Sequence, residues 1–62
     1  MNKTINQWID IFITKYNSFQ VMSNPDLAKL YNKLMEAKLK YGGRQVIEPK
    51  KECEELINKY LL

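Results

Sequence analysis

Residues 4–19 read TINQWIDIFITKYNSF, and the spacing of their apolar side chains decides the fold. At about 100° per residue, Ile5, Trp8, Ile9, Phe12, Ile13, Tyr16 and Phe19 share one sector roughly 140° wide, the pattern of an amphipathic helix. Gln7, Asp10, Thr14, Asn17 and Ser18 take the opposite side. Thr4 and Gln7 have the spacing of a capping box, in which each side chain satisfies a backbone donor at the helix start. A first helix is therefore expected over about residues 4–22, with Trp8, Phe12 and Phe19 in the core and Ile11 off the main stripe.

The punctuation further along divides the rest. Ser23 or Asn24 can cap a second helix whose first turn holds Pro25 and Asp26. There a missing N–H costs nothing and an acid favours the helix dipole. Its stripe is Leu27, Leu30, Tyr31, Leu34 and Met35, with Tyr41 returning later. Gly42 fits a helix stop, and Gly43 makes the exit more permissive. In the loop that follows, Val46 and Ile47 are expected to anchor against the core or to form a short extended piece. Pro49 opens a third helix with Cys53, Leu56, Ile57, Tyr60 and Leu61 as its stripe, and Glu55 and Lys59 are spaced i,i+4 in the favourable order. The prediction is an all-α fold, a small three-helix bundle with helices at about 4–22, 25–41 and 49–61, in a single domain covering 1–62.

A chain of 62 residues buries only about 60% of the surface its unfolded form exposes, so its core is marginal unless well packed or shared. The usual reinforcements are missing. There is no histidine and one cysteine, Cys53, which leaves no internal disulfide and no tetrahedral metal site. Self-association is therefore a reasonable expectation. Hydrophobic content of 45% with 27% charged residues belongs to a folded domain, not to a disordered tail. No signal-peptide pattern and no run of about 18 apolar residues is seen, and a lone thiol without secretion signals reads as intracellular, in the cytoplasm. Lysine greatly outnumbers arginine, present only as Arg44, and Asn, Ile and Tyr are frequent, as in proteins of low-GC bacteria and their phages.

Composition also narrows the chemistry. Without histidine, general acid–base work at neutral pH would need a carboxylate or lysine retuned by burial. Asp10, Asp26, Glu36, Glu48, Glu52, Glu54 and Glu55 all fall on polar faces or helix starts. Cys53 lies on an apolar stripe, where packing and not nucleophilic attack is the expected role. Gly42-Gly43-Arg44 lacks the further glycines, the preceding strand and the Lys-Ser or Lys-Thr of a phosphate loop. No enzymatic activity, cofactor or metal is expected.

The charges are uneven. Lys29, Lys33, Lys38, Lys40, Arg44, Lys50 and Lys51 outnumber Asp26, Glu36 and Glu48 in the middle of the chain, within a net charge of +3. On the second helix Lys29, Lys33 and Lys40 cluster opposite the apolar stripe. Lys29 and Lys33 are like charges at i,i+4, which does nothing for helix stability. Ile11, Val21, Met22 and Leu39 also fall off the stripes. Off-stripe apolar residues extend interaction surfaces, where aromatic and aliphatic anchors dominate binding.

The leading expectation is a non-enzymatic protein-binding module, a small bacterial or phage regulator or inhibitor, that uses the first two helices as its contact surface, with Ile11, Lys29, Lys33, Lys40 and Arg44 as candidate contact residues. The alternative is a small basic nucleic-acid-binding protein using Lys29, Lys33, Lys40 and Arg44 on phosphate. A helix-turn-helix register around Tyr16, Met22, Leu27 and Leu30 would make Ser23 to Asn32 its recognition element. The order of a basic helix, a short link and a Pro-started helix, Leu27 to Lys40 and Pro49 to Tyr60, resembles the middle of the small helical immunity proteins that protect lactic-acid bacteria from their own bacteriocins. That resemblance covers about half the chain and implies a helical bundle that protects a sensitive strain when expressed.

Overall fold

The computed structural model describes residues 3–46 and 51–62, with the side chains of Lys51 and Glu52 outside that description. Among these residues four helices follow one another: α1 (Ile5–Lys15), α2 (Ser18–Ser23), α3 (Pro25–Tyr41) and α4 (Lys51–Tyr60). The fold is an all-α bundle with α3 at its centre, packed against each of the other three. Its radius of gyration is 10.7 Å, against about 10.6 Å expected for a compact folded chain of this length, so the helices close on one another fully.

One boundary differs from expectation. The helix predicted over 4–22 is two helices, because Tyr16 is extended (φ −129°, ψ 137°) and Asn17 starts a new helix. The cause is local. The Asn17 Oδ1 accepts from the Gln20 N–H at 2.9 Å, and the Gln20 Oε1 accepts from the Asn17 N–H at 2.9 Å. This second capping box competes with the helical backbone and wins at an asparagine followed by a serine, both poor in helix interiors. As a result Phe19, expected in the core, is 76% exposed.

The start of α1 is fully satisfied, and by two different sources. Four backbone donors at a helix N-terminus have no intrahelical partner. Here the Thr4 N–H donates to Gln7 Oε1 and the Gln7 N–H to Thr4 Oγ1, the expected box. The Ile5 N–H donates to the Gln45 carbonyl at 2.8 Å and the Asn6 N–H to the Gly43 carbonyl at 2.9 Å. An isolated antiparallel bridge joins Thr4 to Val46 beside them. The loop after α3 thus anchors by its backbone, while the Val46 side chain, expected to do so, is exposed. Ile47 and Pro49, and with them the expected start of the last helix, lie outside the described residues.

Between α2 and α3 the link is one residue. The Asn24 N–H donates to the Val21 carbonyl, its Oδ1 accepts from the Asp26 N–H at 3.0 Å, and its carbonyl accepts from the Ala28 N–H at 3.1 Å. Pro25 and Asp26 occupy the first turn as expected.

Among the described residues the core consists of Ile5, Trp8, Ile9 and Phe12 from α1, Leu27, Leu30 and Leu34 from α3, and Ile57 and Leu61 at the end of the chain. Ile13, on the edge of the predicted stripe, is exposed, and so is Tyr41, which lies beyond the end of the core. Cys53 is half-buried, at the margin of the packed interior. The Trp8 Nε1 is buried without a hydrogen-bond partner among the described residues.

The break at Tyr16 has a use. The ring sits 5.5 Å from Phe12 and 6.3 Å from Tyr60, and its hydroxyl donates to the Tyr60 carbonyl at 2.7 Å. The Tyr60 hydroxyl in turn donates to Asp26 Oδ2 at 3.0 Å, so one residue fastens α4 to both α1 and α3. Tyr16→Phe removes one hydrogen bond, worth about 1 kcal/mol net, and keeps the ring. We expect a thermal midpoint about 4–8 °C lower, read from the emission of Trp8 during a melt. An unchanged midpoint would mean that the hydroxyl contributes nothing to holding α4.

Candidate partner-binding surface

The predicted contact residues are distributed over α1, α3 and the loop after α3. Ile11 is half-buried and lines a shallow depression on α1 with Lys3, Gln7 and Asp10. None of Lys29, Lys33, Lys40 and Arg44 borders it. Lys29, Lys33 and Lys40 lie on α3, with Lys29 and Lys40 exposed and Lys33 half-buried, and Arg44 is exposed in the loop that follows.

The geometry of α3 explains this distribution. Leu27, Leu30 and Leu34 turn one side inward, which leaves Asn32, Glu36 and Leu39 pointing outward with the lysines on the flank. Lys38 and Lys40 stand in the last turn, where cations interact favourably with the helix dipole. The Lys40 Nζ also lies 5.3 Å from the Tyr41 ring centre, a cation–π distance, so the ammonium and the exposed aromatic act as one unit. Lys3 sits similarly over Trp8, Lys15 over Tyr16 and Lys59 over Tyr60. Part of the positive charge of the molecule is therefore held against its own rings.

Two features escaped the periodicity. Leu39, noted only as off-stripe, is 86% exposed and is flanked in sequence by Lys38 and Lys40. From Ala37 to Ile47 the chain has no acid at all. The signal for this end was the acid-free run itself, which a charge count over a wider window diluted. The second feature is α2, none of whose residues is buried and whose Phe19 and Met22 stand out in solvent. Met22 at 85% exposure also means that the helix-turn-helix register, which needs it packed, lacks that contact.

Among the described residues no three or more Cys, Asp or Glu side chains gather in a group that could hold a metal ion, and no helix is long and apolar enough to cross a membrane. The donors at the start of α1, the kind of place that cradles a phosphate, are consumed by Thr4, Gln7, Gly43 and Gln45. What this surface offers is side-chain charge and exposed apolar area. In comparisons with protein-family models, curated proteins and solved structures, this chain matches none.

Proposed function

We propose that this chain is a non-enzymatic protein-binding module, a small regulator or inhibitor, that engages an acidic partner protein through the outward side of α3 and the loop after it. Leu39 carries the reading. It is an aliphatic side chain exposed on the outward side of α3, one turn past Glu36, in a stretch of sequence that holds no acid from Ala37 to Ile47. Burying a leucine side chain against a partner is worth about 1.5–3 kcal/mol, whereas a phosphate backbone offers no apolar surface to bury it. Lys38, Lys40 and Arg44 lie in the same acid-free stretch of sequence, and their charge would steer an acidic protein and speed its association. One arginine is a poor set for reading bases, where bidentate arginine contacts are commonest.

The test is affinity purification from the native host with the wild-type chain and with Leu39→Glu, each with and without nuclease. One stoichiometric protein, retained after nuclease and weakened at least about tenfold by Leu39→Glu, is the expected result. Helix content by circular dichroism should not change, because Leu39 touches solvent. Recovery of nuclease-sensitive material alone would overturn the reading in favour of nucleic acid.

A further inference from the structure

The helices are not equally held. Among the described residues the backbone of α4 comes close to that of α3 and to no other helix, whereas the pairings of α3 with α1 and with α2 do not involve α4. Of the core side chains described, Ile57 and Leu61 come from the last stretch of the chain, and the others belong to α1 and α3. Taking α4 away therefore leaves a packed set of three helices behind.

The bonds at either end of this stretch limit how far such a release travels. Upstream, the Gly43 and Gln45 carbonyls accept from the Asn6 and Ile5 amides, so the chain leading toward α4 is pinned on α1 by bonds in which α4 takes no part. Downstream, α4 is closed by one residue. The Tyr60 carbonyl accepts from the Tyr16 hydroxyl, and the Tyr60 hydroxyl donates to Asp26 Oδ2. The second bond is exposed and the first half-buried, so water replaces both when the helix leaves. With 10 residues α4 is also shorter than the roughly 12–15 that a helix needs to persist alone in water, so once undocked it unravels.

We infer that α4 is a strap that undocks from α3, unravels and docks again as a unit while α1, α2 and α3 stay folded, with Tyr60 as its catch. Openings of this kind are drawn from the parts of a protein with the fewest buried apolar contacts. The opposing behaviour is the two-state one, in which a chain of this size opens only by unfolding throughout. The apolar stripe of α4 joins the buried leucines of α3 in one core, and Leu39 is no part of it. The strap is therefore independent of the partner-binding surface proposed above.

Native-state hydrogen exchange of the full chain in low concentrations of urea tests this, with the wild type, Thr4→Ala and Tyr60→Phe. In the wild type the amides of Ile57, Tyr60 and Leu61 should share one opening constant, at least about tenfold larger than that of Leu30 in α3. Their opening should also depend less on urea, because the strap exposes less surface than global unfolding does. Thr4→Ala removes the cap of α1, which is present whether the strap is docked or not. It should accelerate Leu30 by about fivefold and leave Ile57 and Leu61 unchanged. Tyr60→Phe removes a bond that either opening breaks, and should accelerate Ile57 by about fivefold. Equal opening constants at Ile57 and Leu30, or a Thr4→Ala variant that accelerates both by the same factor, overturn the strap in favour of two-state unfolding. A steady rise in exchange from Ile57 to Leu61 means fraying of the chain end and overturns it equally. Unchanged exchange at Ile57 in Tyr60→Phe removes Tyr60 as the catch. The purification with Leu39→Glu reads the outward side of α3 and is unaffected by any of these results.

Discussion

Phe12→Ala is expected to remove a third or more of the folding free energy of this protein, while Phe19→Ala, seven residues on, is expected to change it by less than about 0.5 kcal/mol. Both phenylalanines lie on the same helical stripe of the sequence, and only the first is in the core. Phe12 is buried, with ring centres 5.5 Å from both Tyr16 and Tyr31, so truncation empties a space that α1 and α3 share. Replacing a buried phenylalanine by alanine costs about 3–5 kcal/mol, with the lost aromatic pairs contributing to the upper end. At about 0.05–0.15 kcal/mol per residue, 62 residues provide about 3–9 kcal/mol in total. Urea titration followed by Trp8 emission checks both variants, since Trp8 is the one tryptophan and is only 1% exposed in the fold. A Phe12→Ala midpoint within a third of the wild-type value would refute the packing described for α1.

Gly42→Ala should destabilise by about 1–3 kcal/mol although the added methyl meets nothing within 4 Å. The penalty is in the backbone. Gly42 ends α3 at φ 85° and ψ 151°, a region open essentially to glycine alone, and its N–H still donates to the Lys38 carbonyl at 2.9 Å. That turn sends the chain back so that the Gly43 and Gln45 carbonyls meet the first amides of α1. Straining it therefore loosens a helix far away in sequence. Hydrogen exchange should accelerate at Ile5 and Asn6 in Gly42→Ala, beyond any change at Leu30. Gly43→Ala makes the contrasting case. Its φ is not positive, and its methyl would run into the end of the exposed Asn6 side chain, which can swing aside. A smaller loss is expected there, relieved further in the Asn6→Ala background. Equal losses at the two glycines would mean that conformation is not what Gly42 supplies.

What could be read in the sequence was what neighbours decide. Pro25 and Asp26 at a helix start, the Thr4–Gln7 box, the Gly42 stop and the inward side of α3 all follow from residues within one or two turns of each other. The break at Tyr16 was equally local, and the spacing of Asn17 and Gln20 repeats that of Thr4 and Gln7. It is masked in the sequence because Phe19 continues the apolar period across it. The bridge between Thr4 and Val46 is a different matter. It depends on where α3 delivers its loop, and no local pattern encodes that. The basic residues of the surface were legible as the side opposite the leucines. That Ile11 borders a depression with Lys3, Gln7 and Asp10, and that Leu39 is among the most exposed of the large apolar residues, required the helices to be placed against one another.

Asn24 has a mechanical consequence. With its amide, side-chain oxygen and carbonyl bonded to Val21, Asp26 and Ala28 in turn, it leaves no slack between α2 and α3. Turning α2 against α3 must break at least one of these bonds and the packing between the two helices. The direction in which Phe19 and Met22 face is therefore set by a single asparagine and by the central helix it joins.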